Sequence, residues 1–373
     1  MLKVGFVGWR GIVGSVLINR MIKKKDFDHI NSFFFSTSHD IKKNSNFNKN
    51  FIKIYDAYDI EKLNSMNIIV SCQGSFYTKK IHHKLRKKKW KGYWIDSASE
   101  LRMKEKSIIA LDPVNKFYID KALSNGVLDF IGGNCTVSLM LMALHGLIDR
   151  DYIEWIISST YQAVSGGGSN KVNEMLVQMK IFGNKFPELA KDRSITISEI
   201  DQIMNSTKQD SAFSTKYFGI PIVNNIIPWI DKIVENGQTK EEWKGSAETN
   251  KIMNLSAKNS VKIDGQCVRV NTIRCHSQAL TVKLKKNISL NDISLIIENS
   301  NKWIKIIPNN EKSTISKLTP HAVSGTMNIH IGRLRKLNIG NEYLNGFTVG
   351  DQLLWGGAEP IRRVLNIIIK YLT

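Results

Sequence analysis

Short apolar runs alternate with helical patterns along the first third of the chain. The apolar runs predict strands at residues 3–7, 32–35, 67–71, 93–96, 108–111 and 130–131. Within residues 12–25, one helical face is formed by the apolar side chains of Val13, Val16, Leu17 and Met21. Strands separated by helices are typical of βαβ units, so this part predicts a mostly parallel sheet.

The pattern changes after residue 134. The predicted elements are a strand at 152–161, a polar helix at 185–209, alternating strands at 266–270 and 279–284, and a last helix at 361–372 behind Pro360. A further helix follows the glycines at 166–168, and its apolar face comprises Val172, Met175, Leu176 and Met179. The alternating runs favour a largely antiparallel sheet. Residues 40–53 read as a surface loop or a weak edge strand.

These patterns predict an α/β fold class. We expect a Rossmann-like dinucleotide-binding domain at residues 1–133 plus 357–373, with an inserted α+β domain at residues 134–356. The closing helix would return to the first domain. A chain of 373 residues is long enough for two such cores.

The amino-acid composition does not change the predicted fold, but it bears on where in the cell the protein is expected. Hydrophobic residues make up 42% and charged residues 23%, as in an ordinary globular protein. The apolar run at 137–144 is far shorter than the roughly 20 residues that a membrane span needs. A strand begins within the first few residues, so we expect no signal segment, no membrane partner and a cytoplasmic protein.

The formal net charge of +20 raises the question of a nucleic-acid partner. The densest basic run, at 79–91, has the composition of a solvated helix face, although nucleic-acid contact is an alternative. Elsewhere lysine is scattered among Asn and Ile. Small anionic ligands match this balance better, and we expect no nucleic acid as partner.

Glycines between the first strand and the first helix predict a phosphate-binding turn. Residues 8–14 read Gly-Trp-Arg-Gly-Ile-Val-Gly, which permits a tight turn and close approach of a pyrophosphate to the helix N-terminus. Purely structural glycines are the alternative, because the spacing departs from G-x-G-x-x-G. The second strand ends in Ser36, Thr37 and Ser38 where NAD sites usually carry a carboxylate. With Arg10 nearby, this predicts NADP.

One of the four cysteines has the context of a nucleophile. Cys135 follows Gly132-Gly133-Asn134 and opens an apolar helix, whose dipole favours a thiolate. The helix N–H groups and the Asn134 amide could stabilise an oxyanion. Cys72, Cys267 and Cys275 lie in strand-like runs and suit a buried structural role. No C-x-x-C pair or zinc-ligand spacing exists, so we predict no metal.

A thiolate mechanism also needs a base. His29, His39, His82 and His83 have polar surroundings and are predicted to be exposed, whereas His276 stands between two strands. From the residues alone a structural role for His276 is as plausible as a catalytic one. Arg269 precedes it by seven residues, so the two face one site only if the chain bends near residues 271–272.

Taken together, these features resemble aspartate-β-semialdehyde dehydrogenase of the Gram-negative bacterial type, essentially from end to end. The stretches that carry the resemblance are Gly8-Trp9-Arg10-Gly11, Gly132-Gly133-Asn134-Cys135-Thr136, Glu242-Trp243-Lys244-Gly245, Ala247-Glu248-Thr249-Asn250-Lys251, Arg274-Cys275-His276-Ser277-Gln278 and Gly350-Asp351-Gln352-Leu353-Leu354-Trp355-Gly356. The stretch at 190–193 departs from the family's composition, so no cofactor contact is transferred there.

The resemblance implies NADP-dependent, phosphate-requiring interconversion of aspartate semialdehyde and aspartyl 4-phosphate, towards lysine, threonine and methionine, by a homodimer. It assigns Cys135 as nucleophile and His276 as acid/base. Substrate contacts would be Gln162, Glu241 and Arg269, and phosphate contacts Arg102, Lys244 and Asn134. Cofactor contacts would be Arg10, Gly11, Ile12, Val13, Thr37, Ser38, Gln73, Ser165, Gly166 and Gln352. Without the resemblance, Glu241 and Lys244 would read as a surface ion pair.

Three rival functions remain open at this point. Another acyl-phosphate reductase, such as an N-acetylglutamyl-phosphate reductase, would use the same thiol chemistry. A nucleic-acid-binding protein would use the positive charge. A regulatory protein on an inactive scaffold would retain the cofactor turn, although the intact Cys, His and Arg set argues against decay.

Overall fold

The computed structural model describes residues 1–38, 45–47, 50–185 and 194–373. Strands β1 to β9 are Leu2–Val7, Ile30–Ser36, Ser45–Phe47, Asn50–Ile52, Ile54–Asp56, Ile68–Ser71, Tyr93–Asp96, Ser107–Ala110 and Asp129–Gly132. Strands β10 to β17 are Ile153–Gln162, Ile226–Ile227, Lys262–Asp264, Cys267–Val270, His276–Leu284, Ile304–Ile306, Ile329–Leu337 and Gly340–Gly350.

The helices lie mainly between these strands. Helices α1 to α6 are Ile12–Lys23, Ile60–Asn64, Ser75–Lys87, Lys116–Ser124, Cys135–Ile148 and Ser169–Gly183. Helices α7 to α12 are Ile197–Thr207, Lys240–Ile252, Leu290–Ser300, Glu311–Lys317, Pro320–Val323 and Glu359–Leu372. No helix in the described part of the chain combines the length and the apolar character needed to cross a bilayer.

The first sheet has seven strands in the order β5-β2-β1-β6-β7-β9-β8. Its neighbouring strands all pair in parallel, as the alternation of strands and helices predicts. Buried β1 and β6 carry apolar side chains on both faces, because helices cover the sheet on both sides. Helix α12 returns from the far end of the chain and packs its apolar face, including Ile361 and Leu365, on this sheet.

In the described part of the chain the second sheet has eight strands; it is mixed, although its long pairings are antiparallel, as predicted. Strands β10, β14, β17 and β16 pair antiparallel, but β12 and β13 pair in parallel with β10. Helices α5 and α9 pack on one face, where Leu141 and Ile297 meet the strand side chains. The opposite face leaves Ile157 and Tyr161 exposed at 41% and 39%.

Most predicted elements are confirmed to within two residues. Exceptions are the helix predicted at 185–209, whose described part is helical only at Ile197–Thr207, and the strand predicted at 279–284, which begins at His276. In α6, Met175 is buried, but Leu176 and Met179 are exposed, because the inward face also carries Glu174 and Gln178. Both of these polar side chains bind the backbone of residues 217–223. The apolar stripe predicted for α6 is therefore only partly the buried one.

Three smaller predictions also change. Cys275 lies in a turn, not in a strand-like run, and His276 is the first residue of β14. His82 is only partly exposed, because it pairs with Asp129 at 2.9 Å on the otherwise solvated basic helix α3. Within residues 40–53, the described residues 45–47 and 50–52 form the short strand pair β3–β4. Residues 39–44, 48–49 and 186–193 lie outside the described residues, and they include His39 and the stretch at 190–193.

Candidate active site

The predicted nucleophile is at the start of a helix, as expected. Strand β9 ends at Gly132, Asn134 caps the next helix, and Cys135 is the first residue of α5. The Asn134 side-chain oxygen accepts the backbone N–H of Thr136 at 2.9 Å and of Val137 at 3.3 Å. Two of the backbone N–H groups that were predicted to stabilise an oxyanion therefore already donate to the Asn134 side chain as part of the helix cap.

The thiol has one basic neighbour, His276. Cys135 Sγ lies 3.2 Å from His276 Nε2. On the other side of the ring, the backbone N–H of Ala163 donates to Nδ1 at 3.0 Å. Because an N–H can only donate, the neutral imidazole carries its proton on Nε2, where it faces the sulfur.

A bend in the chain brings His276 and Arg269 to one site, as the odd spacing required. Strand β13 ends at Val270, and Cys275 has a left-handed φ of 76° immediately before β14. The Cys275 N–H donates to the Gln352 side chain at 2.7 Å, which fixes this turn. A side chain on Gly166 would begin 3.2 Å from the His276 ring and 3.3 Å from Arg269 Nη1.

Burial dominates the ionisation of the Cys135–His276 pair. Burial raises the pKa of the Cys135 thiol to about 12, with Glu241 adding to the effect, whereas Arg269, Arg102 and Lys244 lower it. Burial also lowers the pKa of His276 to about 3, and the positive charge of Arg269 acts in the same direction. The resting pair is therefore a neutral thiol beside a neutral imidazole.

Glu241 is the centre of a buried polar network. Its carboxylate accepts hydrogen bonds from Asn134 Nδ2 at 2.9 Å, Gln162 Nε2 at 3.2 Å and Lys244 Nζ at 2.9 Å. Burial alone would raise the pKa of Glu241, but Lys244 and these hydrogen bonds outweigh it and lower the pKa to about 2. Glu241 and Lys244 share a helix face as predicted, yet the pair is buried rather than superficial.

A second buried carboxylate, Glu248, holds the loop before the nucleophile. It accepts the Asn134 backbone N–H at 2.6 Å and pairs with Arg102 at 3.1 Å. Arg102 also donates to the carbonyl groups of Gly132 and Ser97. Lys244 has a second carboxylate partner as well, Asp231 at 3.0 Å.

These side chains line one cleft of about 1120 Å³ between the two sheets. Its lining includes Arg102, Asn134, Cys135, Gln162, Ser165, Gly166, Glu241, Lys244, Arg269 and Gln352. Gly356 closes the cleft behind Cys135, because a side chain there would begin 2.4 Å from Cys135 Cβ.

A groove at the carboxyl ends of β1, β2 and β6 holds the predicted cofactor turn. Gly8 has a φ of 72° and packs so closely on Cys72 that a side chain would begin 2.7 Å from its backbone. Arg10 donates to the hydroxyl oxygens of Ser36 at 2.7 Å and Ser38 at 3.1 Å. Gly11, Thr37 and Gln73 complete the lining of the groove, which has a volume of about 500 Å³.

Comparisons with known proteins agree with this arrangement. A family model described as semialdehyde dehydrogenase, NAD binding domain, matches residues 3–122, and one described as semialdehyde dehydrogenase, dimerisation domain, matches residues 144–355. The aspartate semialdehyde dehydrogenase of Francisella tularensis is 47% identical over 99% of this chain and 100% of its own, with a TM-score of 0.93. The chain belongs to the aspartate-semialdehyde dehydrogenase family.

More distant aspartate-semialdehyde dehydrogenases share the fold. Aspartate semialdehyde dehydrogenase II of Vibrio cholerae, complexed with ASA, is 22% identical over 99% of this chain and 98% of its own, with a TM-score of 0.81. The Candida albicans enzyme with NADP is 14% identical over 99% and 98%, with a TM-score of 0.65. The fold is thus a Rossmann-like NAD(P)-binding domain joined to a dimerisation domain with a mixed sheet.

Three of the residues predicted to contact the cofactor, Gln352, Val13 and Ile12, do not line the groove that holds the glycine turn. Gln352 is buried and bridges the Cys275 N–H to the Ser165 hydroxyl, so both ends of its amide hold the protein together. Val13 reaches the catalytic cleft, whereas Ile12 begins α1 and is in the lining of neither the cleft nor the groove. Their cofactor roles stay predictions.

The sequence reasoning assigned roles to Glu241 and Lys244 but missed Glu248, although its position had a readable signal. Glu241, Lys244 and Glu248 stand at i, i+3 and i+7, which places three charges on one face of α8. That face is turned to the protein interior. Asp231 and Gly356 had no comparable pattern, because each acts through a contact outside its own segment of the chain.

Proposed function

We propose that this enzyme interconverts L-aspartate 4-semialdehyde and 4-phospho-L-aspartate, with NADP and phosphate, through a thioester on Cys135. The observation that carries the proposal is the 3.2 Å contact between Cys135 Sγ and His276 Nε2 in a cleft lined by several cations. In the cell the reaction would run reductively, in the biosynthesis of lysine, diaminopimelate, threonine and methionine.

The substrate would be held by groups of complementary charge. Arg269 is buried, and of its guanidinium donors Nη1 binds the Ala163 carbonyl at 2.6 Å. The remaining donors suit the substrate carboxylate. Glu241 would receive the substrate ammonium. Gln162, which already bonds to Glu241, would orient the reacting carbon.

The Cys135 thiol would first lose its proton to solvent, because His276 already carries a proton on the nitrogen that faces the sulfur. The thiolate would then attack the aldehyde carbon, which breaks the carbonyl π bond and forms a carbon–sulfur bond and a negatively charged oxygen. The Nε2–H of His276 can donate to the sulfur and then to that oxygen. When bound, NADP supplies the hydride acceptor for this carbon, and the product on the protein is an acyl thioester. Phosphate then attacks the thioester and releases the thiolate.

The acid/base role of His276 predicted from the sequence stays a prediction. Accepting the hydroxyl proton requires a lone pair on Nε2. The Ala163 N–H favours the opposite tautomer, because it requires the lone pair on Nδ1. A donor role of His276 fits the resting geometry without any change in that hydrogen bond.

The phosphate would bind to Arg102, Lys244 and Asn134. All three already have protein partners, namely Glu248, Asp231 and Glu241. An ammonium has three N–H donors and a guanidinium five, so donors remain on both cations after these contacts. The carboxylates hold the cations in place and reduce their net charge, which suits binding of an anion that must leave again.

The residues of the groove fit NADP. The end of β2 carries hydroxyls instead of a carboxylate, and two of them, Ser36 and Ser38, fix the Arg10 guanidinium where a 2′-phosphate could accept from it. The tight turn at Gly8 leads directly into α1, whose N-terminus suits a pyrophosphate. Gly11, Ile12, Val13, Thr37, Gln73, Ser165, Gly166 and Gln352 are the further proposed contacts.

We also propose the domain division and the assembly. Residues 1–133 plus 357–373 would form the NADP-binding domain and residues 134–356 the catalytic and dimerisation domain. A homodimer is supported by the family description and by the exposed apolar residues Ile157 and Tyr161 on the outer face of the second sheet. Four unpaired cysteines suit a reducing compartment, the cytoplasm.

The test is NADPH formation from L-aspartate 4-semialdehyde, followed by absorbance with and without phosphate. We expect phosphate-dependent NADPH formation and a strong preference over N-acetylglutamate 5-semialdehyde. Equal or faster turnover of the acetylated aldehyde would contradict the substrate assignment. Phosphate-independent turnover would contradict the acyl-phosphate product.

A further inference from the structure

Four cations line the catalytic cleft, and they fall into two pairs. Arg102 and Lys244 each contact a carboxylate, as described above. Arg269 and Lys171 also line the cleft, but no carboxylate oxygen of the described residues lies within 4.0 Å of either cation. Neither of these two cations therefore has an ion-pair partner among the described residues, and the charges of Glu174 and Glu241 act on them from a longer distance.

Arg269 and Lys171 lie against the consecutive residues Gly166 and Gly167. A side chain on Gly166 would begin 3.3 Å from Arg269 Nη1, and one on Gly167 would begin 2.7 Å from Lys171 Cδ. Consecutive Cα atoms are about 3.8 Å apart. The Lys171 stem and the Arg269 guanidinium therefore lie along one short segment of the cleft lining, which also lies close to the His276 ring.

The position of Lys171 in its helix is unfavourable without an anion. It lies in the first turn of α6, where the helix dipole is positive, and this turn contains no acidic residue. Glu174, one turn further on, directs its carboxylate to the backbone N–H groups of Tyr217 and Phe218 instead. Burial lowers the pKa of Lys171 and the charge of Arg269 lowers it further, while the charge of Glu174 acts in the opposite direction.

The stem of Lys171 is nevertheless held in place. Its ammonium lies 5.0 Å from the centre of the Phe218 ring, and Glu174 fixes the Phe218 backbone. Half-buried Lys171 is thus kept near buried Arg269, at the N-terminus of α6. An anion bound between the two side chains would interact favourably with both cations and with the positive end of the helix dipole.

We propose that Lys171 is a specificity residue that binds the substrate carboxylate together with Arg269. This inference rests on the proposed function, because it takes the semialdehyde as substrate. A carboxylate has two oxygens, and it can accept a guanidinium N–H on one and an ammonium N–H on the other. The phosphate has its own candidates in Arg102 and Lys244, whose carboxylate partners tie them to α8 and the Asn134 loop.

The test compares Lys171→Met with wild type on two aldehydes, L-aspartate 4-semialdehyde and 3-aminopropanal, which lacks the carboxylate. Methionine keeps most of the stem length and removes the charge. We expect kcat/KM for the semialdehyde to fall roughly 10- to 100-fold, the usual cost of a lost hydrogen bond to a charged group. With 3-aminopropanal the variant and wild type should match. Lys171→Arg should recover most of the loss, and Lys180→Met, an exposed lysine on the same helix, should behave as wild type.

Other outcomes would overturn the assignment. An equal loss with both aldehydes would show that Lys171 does not read the carboxylate. A rise in KM for phosphate alone, or for NADP alone, would place a different anion at Lys171. Wild type that turns over neither aldehyde would instead count against the proposed function.

A second measurement does not need turnover and so keeps the two failures apart. The rate of Cys135 alkylation by iodoacetamide is measured with and without L-2-aminobutyrate, which carries the carboxylate and ammonium but no aldehyde. We expect protection in wild type and Lys171→Arg, and markedly weaker protection in Lys171→Met. Equal protection in Lys171→Met would contradict the role of Lys171 whatever the enzyme's activity.

Discussion

The cofactor groove and the catalytic cleft of this enzyme are built in different ways. The groove comes from three short segments, at residues 8–11, 35–38 and 73, which follow adjacent parallel strands. The cleft takes Arg102, Cys135, Gln162, Glu241 and Arg269 from parts of the chain that are far apart in sequence. Local sequence therefore determines the groove, whereas the overall fold determines the cleft.

The groove and the cleft also differ in the groups that hold their cationic side chains. In the groove, Arg10 is held by the neutral hydroxyls of Ser36 and Ser38. In the cleft, Arg102 and Lys244 are held by buried carboxylates that also position Asn134, next to the nucleophile. A change in the groove should therefore alter binding alone, while a change in the cleft should alter geometry and chemistry together.

The largest effect should come from Cys135→Ala. Loss of the nucleophile should lower turnover by at least about 10,000-fold, as for other covalent catalysts. NADP affinity, measured by fluorescence titration, should stay unchanged because the groove is built separately. Retained turnover would remove Cys135 from the mechanism, and a large loss of NADP affinity would contradict the separation of the two regions.

Glu248→Gln tests whether the buried carboxylates hold the cleft. The variant leaves Arg102 buried without a charged partner, so the free energy of unfolding should fall by about 3 kcal/mol in denaturant titrations. Turnover should fall as well, while NADP affinity should be kept. As a control, Asp120→Asn removes an exposed partner of Lys116 and should change stability little. Similar stabilities of the two variants would argue against a structural role for Glu248.

Thr37→Asp addresses the groove alone. A carboxylate at the end of β2 would repel a 2′-phosphate and compete for Arg10, so NADP should weaken roughly 10-fold or more relative to NAD. Stability and the reactivity of Cys135 should not change. If NADP and NAD weaken equally in titrations of both cofactors, the groove does not bind the 2′-phosphate.

His276 should also make the stability of the protein depend on pH. Its pKa of about 3 in the folded protein lies below its usual 6.5, so on acidification the unfolded chain takes up a proton first. The stabilising contribution is complete above pH 6.5 and is lost towards pH 3, at about 1.4 kcal/mol per pH unit. Wild type should therefore lose stability relative to His276→Asn between pH 6.5 and 5. A constant difference in the free energy of unfolding would show that His276 titrates normally.

The same contrast explains what the sequence could predict. The strands of the parallel sheet, the turn at Gly8, the hydroxyls after β2 and the helix start at Cys135 depend on local patterns, and the structure has each of them at the expected place. The bend between Arg269 and His276 was inferred as a requirement, and Cys275 with its positive φ provides it.

The contacts that complete the site were outside the reach of local patterns. Glu248 meets Asn134 across 114 positions, and Ala163 meets His276 across 113. No periodicity encodes such pairings. The preference of the His276 ring for a proton on Nε2 depends on one backbone N–H, which every residue except proline possesses, so only the folded structure reveals it.

The central claim, a covalent intermediate on Cys135, is tested most directly by intact-protein mass spectrometry. The enzyme is mixed with L-aspartate 4-semialdehyde and NADP in the absence of phosphate and quenched in acid, and the adduct is located by peptide mapping. The account predicts one aspartyl acyl group on Cys135, released on addition of phosphate and absent from Cys135→Ala. An unmodified Cys135 under conditions where one equivalent of NADPH has formed would contradict it.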